Sequence, residues 1–187
     1  MKHTLIGRMS GYVNKKAFLI SSLLFSFFSI TSPTSAATFS AFSGLGDLPG
    51  SNILSFANAV SDDGSVIVGT SHSSNGGPEA FRYENGVMTG LGDLPGGSFF
   101  SGGGGVSGDG SIVVWFGASD DGIEPFRYEN GIMAGLGSLS NNAVQAVAFD
   151  ISSDGSVIVG ESISNNGFQA FRYENGVIIG LGYLPGG

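Results

Sequence analysis

The 187-residue chain has no cysteine, two histidines, one tryptophan and seven basic residues. Without cysteine there are no disulfides, so packing and backbone pairing must supply all the stability, even in an oxidising compartment. His3 and His72 are too few ligands for a zinc or copper centre. No G-x-S-x-G stretch accompanies His72, and no later repeat of the sequence contains a matching histidine, so a serine-hydrolase triad has nothing to build on. Carboxylates are plentiful, among them Asp62, Asp63, Asp120, Asp121 and Glu124, and glycosidase chemistry uses acid pairs. Their setting among Gly, Asn and Ser reads instead as turn-making and solvation. The Asp–Gly clusters do not follow the spacing of a calcium loop, and GGGG at 102–105 lacks the lysine and following helix of a phosphate cradle. The expectation is a protein without cofactor, without metal and without catalytic activity.

Positive charge is scarce and unevenly placed. Lys2, Arg8, Lys15 and Lys16 precede the apolar run AFLISSLLFSFFSI (17–30), the longest in the chain. At roughly 14 residues it is too short to cross a bilayer but suits the core of a secretory signal. Pro33 and the small residues of TSAA follow, so residues 1–36 read as a cleaved signal peptide, with the cut after Ala36 or Ala37. The expected location is outside the cytoplasm: periplasm, outer-membrane surface or extracellular space. Beyond the signal, Arg82, Arg127 and Arg172 stand against fifteen acidic residues. So acidic a surface is repelled by phosphate backbones and anionic head groups, which excludes nucleic acid as a partner.

What the chain has in abundance is glycine, 33 residues, and phenylalanine, 15 residues, a composition that favours short strands joined by tight turns. It also repeats itself. GLGDLPG begins at Gly44 and Gly90, GLGSLS at Gly135 and GLGYLPGG at Gly180. SDDGSVIVG (61–69) returns as SGDGSIVVW (107–115) and SSDGSVIVG (152–160). FRYENGVM (81–88) returns as FRYENGIM (126–133) and FRYENGVI (171–178). Three landmarks in fixed order and phase define units of about 45 residues, roughly 44–89, 90–134 and 135–179, with the start of a fourth at 180–187.

Each unit reads as four strands. In the first, ILSFANAVS (53–61) precedes a turn at Asp63–Gly64, matched by Asp109 and Asp154 in the later units. SVIVG (65–69) is β-branched and apolar, as a strand covered on both faces would be. A polar loop, TSHSSNGGP, leads to EAFRYE (79–84). Asn85–Gly86, Asn130–Gly131 and Asn175–Gly176 are hairpin turns. A two-residue loop at Asn85–Gly86 sets Tyr83 opposite Met88 and Arg82 opposite Thr89. Alternation then turns Phe81 and Tyr83 to a packed face and Arg82 with Glu84 to the other. Two residues apart on one strand, Arg82 and Glu84 can pair, as can Arg127 with Glu129 and Arg172 with Glu174. The turn aspartates Asp63, Asp109 and Asp154 are second candidate partners. A repeated arginine also suits a ladder for a ligand, but a structural tie is the commoner use. The second unit departs from the pattern, with SGGGGVS (101–107) for SFANAVS and Trp115 in the place of Gly69 and Gly160. It reads as a repeat worn down under weak constraint.

The combination GLGxLPGG, DGSVIVG and AF-R-Y-x-NG-V-M resembles the bacterial extracellular HAF repeat family over residues 39–187. The name-giving triplet appears here as EAF (79–81), EPF (124–126) and QAF (169–171). The resemblance implies an exported repeat protein, in some members the surface-displayed passenger of an autotransporter. Taken together, the expectations are an all-β domain over 37–187 built from four-stranded antiparallel repeats, β-propeller-like, with three units making an incomplete or open ring. ATFSAF (37–42) is a spare strand for another unit. The expected function is a non-enzymatic scaffold or adhesin-like binding module for a cell-surface ligand, whose ring further repeats or self-association would complete. The rival expectations are a propeller enzyme acting on extracellular glycans or peptides and a decayed gene fragment.

Overall fold

Alternating apolar residues punctuated by Asp-Gly and Asn-Gly give twelve strands and no helix among the described residues of the computed structural model, which are 42–50, 53–140 and 144–185. The signal peptide read over 1–36 and the spare strand, except Phe42, lie outside them. The first repeat forms β1 (Ser55–Val60), β2 (Val66–His72), β3 (Pro78–Glu84) and β4 (Val87–Gly90). The second forms β5 (Gly105–Val106), β6 (Ile112–Ser119), β7 (Gly122–Glu129) and β8 (Ile132–Gly135). The third forms β9 (Val144–Ile151), β10 (Val157–Ser164), β11 (Gly167–Glu174) and β12 (Val177–Gly180).

Each repeat is an antiparallel meander in sequence order. The second and third sheets also touch through a short parallel pairing of β7 with β9, Gly122 opposite Val144 and Ile123 opposite Gln145. Gly122 has φ 132°, and a Cβ there would run into the Val144 carbonyl, so the position admits glycine alone.

The sheets stack face to face, and their cores lie between repeats rather than within one. Val66 and Val68 of the first sheet pack against Val106 and Val113 of the second. Ala80 meets Phe126, with Trp115 and Tyr128 alongside. Ile112 and Val114, on the opposite face of the second sheet, pack against Ala148, Ile151, Ile158 and Phe171 of the third. Successive residues of β6 therefore serve different neighbours, which is why SVIVG-type strands are apolar at nearly every position. Phe81, Phe126 and Phe171 are all fully buried.

Two expectations need correction. The polar loop TSHSSNGGP is shorter than read: β2 continues to His72, paired with Pro78, leaving the five residues Ser73–Gly77 to turn. His72 is thus a strand residue. In the other repeats the same hairpin closes on two residues, Asp120–Asp121 and Asn165–Asn166.

The second repeat's first strand is cut to two residues, against six and eight in the others, yet its glycines are not idle. Gly102 and Gly104 still pair with the next strand, donating to the carbonyls of Phe116 (3.2 Å) and Val114 (2.9 Å), and Gly103 donates to Gly69 of the first repeat at 3.0 Å. A Cβ on Gly104 would stand 2.6 Å from the Trp115 ring, and one on Gly102 2.7 Å from Thr70 Oγ1. The indole fills the volume that the glycines leave bare. In the first and third repeats the arrangement is inverted: the bulk is on the first strand, and Gly69 and Gly160 lie under the carbonyls of Phe56 and Val147.

Candidate functional site: the arginine ladder and its turns

Asn85, Asn130 and Asn175 have φ of 51°, 52° and 52°, and Gly86, Gly131 and Gly176 follow at 81°, 81° and 80°. Two successive positive φ values define a two-residue turn whose twist matches the strands it joins, and Asn-Gly tolerates them best. The register follows from the turn. Arg82 stands opposite Thr89 and Tyr83 opposite Met88, as the spacing predicts, and Arg127–Ala134 and Arg172–Ile179 repeat the pairing.

Each arginine makes an ion pair with the glutamate two residues on: Arg82 with Glu84, Arg127 with Glu129 at 3.0 Å and Arg172 with Glu174 at 2.6 Å. The turn aspartates are not their second partners. Arg82 Nε donates instead to the Gly110 carbonyl (3.3 Å) and Arg127 Nη1 to the Gly155 carbonyl (2.8 Å). Both carbonyls belong to the Asp-Gly turn of the following repeat. The arginine is therefore a tie between neighbouring sheets, with its glutamate fixing the guanidinium fork.

The aspartates serve their own turns. Asp63 Oδ1 accepts from Ser61 Oγ (2.8 Å) and Ser65 N–H (2.9 Å), while Ser61 Oγ accepts from Val66 N–H (3.0 Å). Asp109 and Asp154 repeat the arrangement with Ser107 and Ser111, and with Ser152 and Ser156. Gly64, Gly110 and Gly155 take the positive φ, at 72–75°. Donors converging on an ionised carboxylate favour its charged form, so all three aspartates titrate at about 2. For Asp63 the Ser65 backbone N–H acts most strongly; for Asp109 and Asp154 it is the hydroxyl of the preceding serine.

One repeated polar position carried no role in the sequence reading. Glu79, buried, and Glu124 each accept the N–H of the glycine ending the next GLG segment, Gly92 and Gly137, both at 2.9 Å. A Cβ on Gly90 or Gly135 would collide with the same carboxylates, and one on Gly180 with the Gln169 amide. These are the first residues of EAF, EPF and QAF. The signal was available: a position that alternates Glu and Gln needs an acceptor, and the glycine of GLG lies one strand away.

Among the carboxylates considered for acid–base chemistry, Asp120 accepts Gly97 N–H at 3.2 Å and Asp120–Asp121 is a hairpin loop. Asp93 accepts the N–H groups of Leu94 (2.9 Å) and Phe100 (2.8 Å), and burial pushes its carboxyl above the ordinary range. Asp62, Gly108 and Ser153 occupy one repeat position and meet at the turns, Ser153 Oγ donating to Asp62 Oδ1 at 3.4 Å. That set differs between repeats but brings together one carboxylate and one hydroxyl. Among the described residues no three His, Asp or Glu side chains are grouped to hold a metal ion.

Two shallow depressions, each of about 330 Å³, flank the ladder's ends. Arg82, Glu84, Thr89, Leu91 and Tyr128 line one between the first two sheets. Phe149, Val159, Phe168 and Leu181 line the other, on the outer face of the third sheet.

No family model matches the chain, and neither does any curated protein. Solved structures do. TolB from Acinetobacter baumannii superposes with a TM-score of 0.52 at 17% identity, over 70% of this chain and 32% of that one. A protein assigned as TolB from Agrobacterium tumefaciens gives 0.53 at 17% identity, over 74% of this chain and 50% of that one. The chain thus spans a third to a half of the proteins it resembles. The likeness establishes the fold: all-β and propeller-type, with three sheets as consecutive blades.

Proposed function

We propose that the protein is an exported, non-enzymatic scaffold of the HAF repeat kind, acting as a binding module at the cell surface. The observation that carries this reading is how the repeated polar side chains are spent. Arg82 and Arg127 tie adjacent sheets, the turn aspartates brace the hairpins, and Glu79 and Glu124 hold the connecting segments. A propeller enzyme gathers unlike residues from several blades at one mouth, and among the described residues the turns bring together Asp62 and Ser153. The basic and apolar leader supports export, and the acidic surface suits a partner presenting positive or neutral groups.

The test is fractionation of the source cells, amino-terminal sequencing of the recovered protein, and its presentation to immobilised cell-surface glycans and peptides. The expected result is a chain beginning at Ala37 or Thr38, exposed to added protease on intact cells, that binds saturably without turning the ligand over. Recovery of Met1 from the cytoplasm would overturn export. Release of product from a chromogenic glycan or peptide panel, lost on Asp62→Asn, would favour the enzyme instead.

A further inference from the structure

The two joints between repeats are made by one set of contacts, used twice. A repeat gives its successor an arginine N–H and a turn amide, and the successor returns two turn carbonyls. Arg82 and Arg127 donate to the carbonyls of Gly110 and Gly155. Asp62 N–H donates to Gly108 (3.0 Å), and Gly108 N–H to Ser153 (2.9 Å). The series leaves one half-set over at each end. Among the described residues Arg172 and Ser153 N–H have no such acceptor, and the carbonyls of Gly64 and Asp62 receive no such donor.

Two sets of aliphatic positions show the same two halves, although Phe81 of the first repeat is as fully buried as Phe126 and Phe171. Val68 and Val114 are 0% exposed beneath the following repeat, whereas their equivalent Val159 is 40% exposed. Val106 and Ile151 are 8% and 6% exposed against the preceding repeat, whereas their equivalent Val60 is 56% exposed. The arginine side chains follow suit, at 28% and 26% exposure for Arg82 and Arg127 and 43% for Arg172. The outer face of the third sheet and the outer face of the first are the two sides of a joint the chain already makes twice.

We propose that a second copy of this chain occupies the face around Val159, docked head to tail, with Arg172 donating to the Gly64 carbonyl of that copy. The same contact made in return closes the pair. A head-to-tail contact ends in a ring when its rotation closes, and two copies supply six four-stranded repeats among their described residues, within the usual range of about 4–8 propeller blades. Closure also removes both exposed sheet faces, which a secreted β protein is otherwise left to protect.

Sedimentation equilibrium of the exported chain tests this. The expected mass is twice that of the chain. Val159→Glu and Val60→Glu, on opposite faces, should each give monomers whose far-ultraviolet spectrum is unchanged. Arg172→Ala should raise the dimer dissociation constant roughly 10- to 100-fold, because the tie is made twice per dimer. Arg127→Ala, whose tie lies inside one chain, should leave that constant within about threefold. The arginine pair decides the matter if either valine variant fails to fold. A monomeric wild type, open filaments, or a dimer broken by one valine substitution but not the other would each overturn the proposal. So would equal dissociation of the two arginine variants.

Discussion

At the scale of single residues, the chain places its few charges where the backbone would otherwise lack partners. Asp63, Asp109 and Asp154 are the clearest case, because serine hydroxyls and amides hold their carboxyls at about 2, below the ordinary 3.8. The sign of the consequence follows from linkage. A carboxyl depressed in the folded state adds stability that is complete above pH 3.8 and is lost as the pH falls toward 2. Asp93, raised mainly by burial, acts in the opposite sense: its cost is paid at neutral pH and relieved as the pH falls through its folded value. The turn aspartates outnumber it three to one, so urea midpoints should decline between pH 4 and pH 2. The variant Asp63→Asn, Asp109→Asn, Asp154→Asn should show a shallower decline over that interval. Equal slopes for the two proteins would mean that the serine brackets do not hold these carboxylates in solution. The fifteen acidic residues cannot be ranked in this way from sequence, since the bracket depends on a hydroxyl returning across the turn.

At the scale of strands and turns, the reading from sequence succeeded wherever backbone conformation alone decides the outcome. Asn-Gly prescribes two positive φ values, and with them the register of Arg82 and Tyr83 against Thr89 and Met88. It failed where a residue is chosen by something distant in sequence. Ser73–Gly77 and the strand extension to His72 depend on pairing across the hairpin, and the glycines at 102–104 depend on Trp115. A run of glycine looks like decay until the indole above it is placed. The compensation makes a quantitative prediction. Gly104→Ala should cost about 1–3 kcal/mol by forcing a Cβ into the Trp115 ring. In a Trp115→Gly background the same change should cost under about 1 kcal/mol, although Trp115→Gly itself destabilises by opening a cavity. Urea melts of the four proteins complete the cycle. Strict additivity would mean that the two positions relax independently and that the glycines have another cause.

At the scale of the whole molecule, three apolar clusters bridge neighbouring repeats, while Phe81 and Leu48 of the first repeat are buried outside them. Tandem repeats behave as nearest-neighbour chains, in which each unit's own stability competes with the strength of its joints. Here the joints hold Val66, Val68, Val114, Phe126 and Phe171, while a single four-stranded meander has little else to bury. The balance favours the joints, so unfolding should be one cooperative event rather than three. The sequence supplies its own probe of that claim. Trp115 is the sole tryptophan and reports on the second repeat, whereas the far-ultraviolet signal comes from all three. Fluorescence and circular dichroism should give coincident urea transitions. Phe126→Ala, which empties the first joint, should move both by the same amount, about 3–5 kcal/mol. If the fluorescence transition came early while dichroism persisted, the repeats would be separable modules and the arginine ties from Arg82 and Arg127 would be decoration on them. Coincidence would mean instead that each guanidinium reaching a neighbour's turn carbonyl closes a joint on which every sheet depends.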